Sequence, residues 1–194
     1  MSPVGRAIKR TMDVVGAVVG LAVGSPILAV VALLVRLGSP GPVLFRQERA
    51  GRAMKPFTMV KFRTMRADAD PFGVSPREAR DPRLTRVGRF LRETSLDELP
   101  QLWNVLRGDM SLVGPRPLYM SQAREFTQRQ RRRLEVRPGM TGLAQTRGRG
   151  EISHEEKLEL DVQYVEKQSV RLDLRILRRT AGRLFRRKDA YQKW

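Results

Sequence analysis

The amino-acid sequence predicts an α+β chain, mainly helical, with a small β element and an apolar N-terminal helix–break–helix. Three observations carry that prediction. Residues 14–35 contain no charged side chain. Two short runs rich in strand formers follow, Val43-Leu44-Phe45 and Phe57-Thr58-Met59-Val60-Lys61-Phe62. Farther on, apolar residues recur at helical spacing, as in Leu158, Val162 and Val165.

The apolar run comes first. At about 1.5 Å of rise per helical residue it is long enough for a hydrocarbon core of roughly 30 Å. A plain transmembrane anchor and a cleaved signal peptide are the simplest readings, although the run is long for a signal peptide and no convincing small-residue cleavage site follows it. Gly24-Ser25-Pro26 lies at its middle. Proline lacks a backbone donor and clashes with the preceding turn, so a sharp break is expected at Ser25-Pro26. Each half, about 11 residues, is then too short to cross alone. Both flanks are basic: Arg6, Lys9 and Arg10 precede the run, and Arg36, Arg46, Arg49 and Arg52 follow it. The positive-inside tendency places both flanks on the cytoplasmic side. A re-entrant hairpin satisfies both facts, with Ser25 as a candidate partner for backbone groups freed at the break. A kinked spanning helix is the alternative.

Gly38-Ser39-Pro40-Gly41-Pro42 is a breaker cluster. It divides the chain into a membrane hairpin, 1–40, and a soluble part, 41–194. Between the two strand candidates, Gln47 to Pro56 reads as a basic turn. Asp68 to Asp81, with Pro71, Gly73 and Pro76, reads as a loop. Val87 to Glu93 and Ser95 to Leu106 are helix candidates, and Gly108 to Pro117 is loop-like. Tyr119 to Val136 reads as one charged helix, whose Arg131-Arg132-Arg133 suits the negative end of the helix dipole. Arg137 to Gly150 reads as a glycine-rich folded loop, and His154 to Gln168 as a further helix. The segment Val170 to Lys188 is amphipathic: Val170, Leu174, Leu177, Ala181, Leu184 and Phe185 fall at helical spacing against an Arg-rich face. It suits either a helix in the membrane interface or one packed on the core. Trp194 is a candidate for the headgroup region.

Length and composition fit one domain plus the apolar appendage. The absence of cysteine excludes disulfides and thiolate metal sites, and a single histidine, His154, disfavours a His-based zinc site. With 38 Lys+Arg against 20 Asp+Glu the chain carries a formal charge of +18. Such an excess needs anionic partners: nucleic acid, lipid headgroups or phosphorylated substrates. Most of these cations are arginine, whose planar fork suits phosphate. Nucleic acid is disfavoured as a partner, because the apolar run has no use there and no helix-turn-helix, finger or RNA-binding pattern occurs.

Two adjacent acids, Asp97 and Glu98, stand inside this basic chain, in Thr94-Ser95-Leu96-Asp97-Glu98-Leu99-Pro100. Ser95 with Glu98 forms a capping-box pattern, and acids in a first helical turn suit the dipole, so helix capping explains the pair without any chemistry. The functional alternative uses the same geometry. Adjacent helical residues point about 100° apart, from about 3.6 residues per turn, so the two acids cannot do one identical job. One carboxylate can face a phosphorus atom as nucleophile while the other serves as metal ligand or base. A hard cation with few protein ligands points to Mg²⁺.

The block Thr94–Pro117, TSLDELPQLWNVLRGDMSLVGPRP, resembles the bacterial sugar transferase family, the monotopic phosphoglycosyl transferases. Lys61-Phe-Arg-Thr-Met65, Arg137-Pro-Gly-Met-Thr-Gly-Leu-Ala-Gln145, Asp161-Val-Gln-Tyr-Val165 with Ser169 and Asp173, and Lys9-Arg10, Asp13 and Ser25-Pro26 match it too. The resemblance covers nearly the whole chain, which looks like the family's minimal catalytic form. It implies a transferase at the cytoplasmic face of the bacterial inner membrane. A UDP-sugar gives its phosphosugar to Asp97 with release of UMP, and polyprenyl phosphate then takes it. Glu98 is implied as the partner of Asp97, through Mg²⁺ placement or proton transfer. Lys61, Arg92, Arg116 and Arg149 match positions near phosphates and donor. The stretch Thr146-Arg147-Gly148-Arg149 departs from the family's usual loop, so Arg147 stands as the alternative to Arg149. A non-catalytic basic scaffold on the membrane surface is the competing reading; it does not require adjacent acids within so specific a block.

Overall fold

The computed structural model describes residues 1–70, 73, 76, 78, 80–147 and 152–184. Helix α1 (Pro3–Gly38) is long and apolar enough to cross a membrane. The interruption expected at Ser25-Pro26 is replaced by helix assigned without a gap through Pro26. The reason is local. Pro26 cannot donate to the carbonyl of Ala22, four residues back, and the Ser25 hydroxyl donates to that same carbonyl at 2.8 Å. Ser25 therefore meets the partner role read for it, but by sustaining the helix rather than by closing a break.

Both ends of α1 are fixed to the rest of the chain. Lys9, Asp13 and Ala17 are buried at one end and Val31 and Val35 at the other, all at a spacing of four. Between Ala17 and Val31 no residue is buried, and a Cβ at Gly24 would meet nothing within 4 Å. At the C-terminal end Arg63 donates to the carbonyls of Pro40 (2.7 Å) and Ser39 (2.8 Å). A cation there suits the negative end of the dipole.

Strands β1 (Leu44–Ala50) and β2 (Pro56–Phe62) form an antiparallel hairpin, Leu44 opposite Phe62 and Ala50 opposite Pro56. The turn predicted over Gln47–Pro56 is thus shorter, because the polar residues Gln47, Glu48 and Arg49 extend the strand. Asn104 braces the hairpin: its side chain accepts from the Val60 N–H (3.1 Å) and donates to the Thr58 carbonyl (2.8 Å). Helices α2 (Arg86–Thr94) and α3 (Gln101–Arg107) follow, separated by a 3-10 turn at Leu96–Glu98.

Strands β3 (Ser111–Val113) and β4 (Gly139–Thr141) pair in parallel, inside segments read as loops. Glycine is needed here: a Cβ on Gly139 would strike the backbone of Gly114. The single helix expected over Tyr119–Val136 is three pieces: α4 (Met120–Arg124), α5 (Gln128–Arg131) and a 3-10 turn, Arg132–Glu135. Thr127 restarts the helix by a reciprocal cap with Gln130, and Phe126 is buried at the break. Helices α6 (Leu143–Arg147), α7 (His154–Glu166) and α8 (Val170–Leu184) complete the described chain. Tyr164 of α7 and Ile176 of α8 share a core with Val113 and Leu143. Helix α8 packs through Asp173 and Ile176, which are buried, and leaves Leu174 54% exposed. Leu177 of the predicted stripe packs on the same core, so the packed face follows that stripe only in part. Phe185 and Trp194 lie outside the described residues.

Candidate active site

Helix α2 sits directly on the backbone of Thr64, since a Cβ on Gly88 would collide with the Thr64 carbonyl. That approach brings Arg92 Nε to 3.1 Å from Thr64 Oγ1, two residues beyond the last strand residue Phe62. Ser95 ends α2 in the left-handed region (φ 58°), and its N–H donates to the Arg92 carbonyl at 3.3 Å. The chain then reverses into the 3-10 turn that carries Asp97 and Glu98. Ser95 makes no side-chain cap, so the capping box anticipated from Ser95 and Glu98 does not form. A residue already in the left-handed conformation closes the preceding helix instead of opening the next.

Asp97 is buried, with 6% exposure. Burial pushes its carboxyl up to about 6, and the charge of Glu98 adds to that, while Lys61, Arg92 and Arg116 oppose it. Burial pushes the Lys61 ammonium down to about 8; Asp97 and Glu98 pull it up, and Arg92 and Arg116 push it down. Arg116 Nη2 lies 2.7 Å from Glu98 Oε1, and this carboxylate is the main reason the guanidinium holds its proton more tightly than usual. The fold therefore brings together Asp97, Glu98, Lys61, Arg92 and Arg116, from β2, α2, the 3-10 turn and the loop after β3. Arg147 ends α6 as an exposed residue, and its side chain makes no hydrogen bond or ion pair among the described residues. Arg149 lies outside them.

Two further groups support this cluster without having been read from sequence. Arg133, rather than capping an exposed helix end, is buried and pairs with Asp161 at 2.6 Å. The same guanidinium donates to the backbone carbonyl of Arg116 at 2.7 Å, fixing the segment that presents the Arg116 side chain. Arg49 stacks on Tyr119, 3.7 Å from the ring centroid, and donates to Gln47 Oε1 at 2.6 Å. Strand alternation would have found Arg49: Phe45 pairs with Lys61, and Phe45, Gln47 and Arg49 share one face. The predicted strand, Val43-Leu44-Phe45, ends before Arg49.

Among the described residues no group of three or more His, Cys, Asp or Glu side chains gathers to hold a metal. Two adjacent carboxylates remain, the ligand number with which Mg²⁺ is commonly held beside substrate phosphates. What the arrangement offers chemically is a buried carboxylate ringed by cations, a setting for attack on a phosphoryl centre.

Comparison with known proteins decides the lineage. The model of the family described as bacterial sugar transferase matches residues 4–187. The chain belongs to the bacterial sugar transferase family. It is 50% identical over 171 residues to the "Uncharacterized sugar transferase EpsL" of Bacillus subtilis (strain 168), covering 88% of this chain and 83% of that protein. To the "UDP-glucose:undecaprenyl-phosphate glucose-1-phosphate transferase" of Caulobacter vibrioides it is 45% identical, covering 94% of this chain and 72% of that one. A protein of the same name from Escherichia coli (strain K12) is 45% identical over 98% of this chain, which spans only 43% of its length. In this bacterial sugar transferase the block Thr94–Pro117 becomes the 3-10 turn, α3, β3 and the Arg116 loop. The chain is thus an enzyme of the transferase class, and its polar cluster lies within the segment matched to the family.

Proposed function

We propose that this protein transfers a sugar 1-phosphate from a UDP-sugar to polyprenyl phosphate through a covalent intermediate on Asp97. The observation that carries this reading is the buried Asp97 carboxylate set among Lys61, Arg92 and the Arg116–Glu98 pair. In the first step an Asp97 oxygen attacks the phosphorus bearing the sugar. The bond from that phosphorus to the bridging oxygen breaks, and UMP leaves with the bond's electrons. In the second step a polyprenyl phosphate oxygen attacks the same phosphorus, and the Asp97 oxygen departs as carboxylate. The product is a polyprenyl diphosphate sugar. Lys61, Arg92 and Arg116 hold the phosphates, with Arg147 or Arg149 toward the donor, and Glu98 takes a proton or helps place the metal. Asp97 and Glu98 would hold Mg²⁺, which when bound neutralises diphosphate charge.

The same reading places residues 1–40, with α1 unbroken at Ser25-Pro26, in the cytoplasmic leaflet of the inner membrane as a monotopic element and residues 41–194 at its surface. Both ends of α1 bond to one folded body, Lys9 to Asp173 and Ser39 to Arg63. A helix spanning the bilayer would hold its ends apart on opposite sides. Phe90, Trp103 and Leu174 are 47%, 55% and 54% exposed on α2, α3 and α8, helices that all pack against α1. These apolar groups suit the headgroup layer. A site at that depth meets a soluble donor and a lipid phosphate without pulling the tail into water, which costs about 0.8 kcal/mol per CH₂.

Intact mass measurement after mixing with the UDP-sugar alone tests the chemistry. A phosphosugar adduct is expected on the parent and not on Asp97→Asn; an adduct that survives this change rules out Asp97.

A further inference from the structure

Away from the acid pair, at the opposite end of the β1–β2 hairpin, lies a cavity of about 550 Å³. Five strand steps, about 17 Å at about 3.3 Å each, separate Lys61 from Pro56 beside it. Arg52, Arg124 and Arg131 line it over a floor that includes Met54 and Leu134. All three arginines are exposed, and the Arg52 and Arg124 side chains make no hydrogen bond or ion pair among the described residues. Glu135 is on the wall, 3.5 Å from Arg132.

The hairpin tip is strained in a way that builds this cavity. Ala53 and Met54 both have positive φ, 53° and 61°, a turn geometry that Asn-Gly usually supplies. Met54 packs against the buried cluster of Ala123, Phe126 and Leu134. The turn thus delivers Met54 to the floor and Arg52 to the rim. Strained backbone of this kind concentrates at ligand sites.

The geometry points to a binding site for the headgroup of an anionic phospholipid, a glycerol-bearing one above all. Arg52 acts electrostatically on Arg137, as does Arg10. Arg10 precedes the charge-free segment by only a few residues. The basic strip therefore runs from the point where α1 turns apolar to the cavity. On the membrane seating proposed above, on which this inference rests, that is headgroup depth. Guanidinium forks grip the lipid phosphate in a bidentate manner. Glu135 accepts from a headgroup hydroxyl, and Met54 and Leu134 cover the glycerol and first methylenes.

Native mass spectrometry of the full chain in uncharged detergent, without donor sugar, tests it. Dihexanoyl phosphatidylglycerol is the probe and dihexanoyl phosphatidylcholine the control. One phosphatidylglycerol per chain is expected, with occupancy lowered at least tenfold in the double variant Arg52→Gln/Arg124→Gln and unchanged in Arg46→Gln. Equal occupancy in the double variant, equal retention of phosphatidylcholine, or displacement by equimolar inorganic phosphate would overturn it. Because no transfer occurs in this assay, failure of the Asp97 chemistry would leave the result standing.

Discussion

Lys9 Nζ lies 2.7 Å from Asp173 Oδ2, and both residues are buried although 164 positions separate them. The Tyr164 hydroxyl donates to the other Asp173 oxygen at 2.7 Å, and Lys9 also donates to the Val113 carbonyl at 3.0 Å. One turn on, Asp13 Oδ1 accepts from Ser111 Oγ and the Leu112 N–H, each at 2.9 Å. The first turns of the apolar helix are therefore built into the catalytic body. Removing one partner of a buried pair strands the other charge, at a cost of about 3–5 kcal/mol. Lys9→Met should lower the thermal unfolding temperature in detergent sharply. Adding Asp173→Asn should recover part of the loss, since an amide oxygen still accepts from Tyr164. Parent-like stability of the single variant would show the pair to be dispensable.

Lys61 predicts an alkaline limit to activity. Its ammonium, pushed down to about 8 by burial, loses its charge as pH rises through that value, and on the function proposed above one cation fewer then faces the donor diphosphate. Because kcat/KM reports groups of the free enzyme, kcat/KM for the UDP-sugar should fall above pH of about 8. Lys61→Arg keeps a charge through that range, so its decline should move to higher pH even if its maximum is lower. An alkaline limb at the same pH in Lys61→Arg would assign the titration to another group.

The anchored ends of α1 bear on topology. Ser39 Oγ accepts from Arg63 at 3.0 Å, so the neighbouring exposed Pro40 is the better labelling position, with exposed Val4 at the other end. Cysteines at these two sites should react with a membrane-impermeant maleimide only when the cytoplasmic face is open to the reagent. Reaction of the two from opposite faces would mean a spanning helix and would remove the monotopic reading.

What the sequence disclosed, and what it hid, follows from the range of the interactions. The apolar length of α1, the hairpin and the helices flanking Asp97 are local patterns, and they were legible. Arg133 was not, because its partner Asp161 is 28 positions away and a run of three arginines looks like a solvated helix end. The end of β1 was hidden because Glu48 and Arg49 are polar, while pairing with Thr58 and Phe57 depends on the opposite strand. Asp97 and Glu98 were visible as a pair, yet their local geometry was misjudged. The Ser95 to Glu98 spacing fits a capping box, but Ser95 is the left-handed end of α2 and makes no side-chain cap.

The hairpin tip gives a last prediction, independent of any ligand. Ala53 has φ 53° and ψ 38°, a left-handed conformation that costs a residue with a Cβ about 1–2 kcal/mol. Its side chain is exposed and carries a single methyl, so little packing opposes a change there. Ala53→Gly removes the steric cost but adds chain entropy to the unfolded state, about 0.4–1 kcal/mol, which offsets part of the gain. Ala53→Asn avoids that entropic loss and tolerates the left-handed region, so it should stabilise more than glycine. Met54 differs, because its side chain packs on the Phe126 and Leu134 cluster. Met54→Gly should therefore destabilise despite relieving its φ of 61°, since buried contact is lost with the strain. Unfolding temperatures in the order Ala53→Asn, then Ala53→Gly, then parent, then Met54→Gly would confirm that Met54 is held in strain by its packing. A Met54→Gly protein more stable than the parent would show that the strain outweighs the contacts.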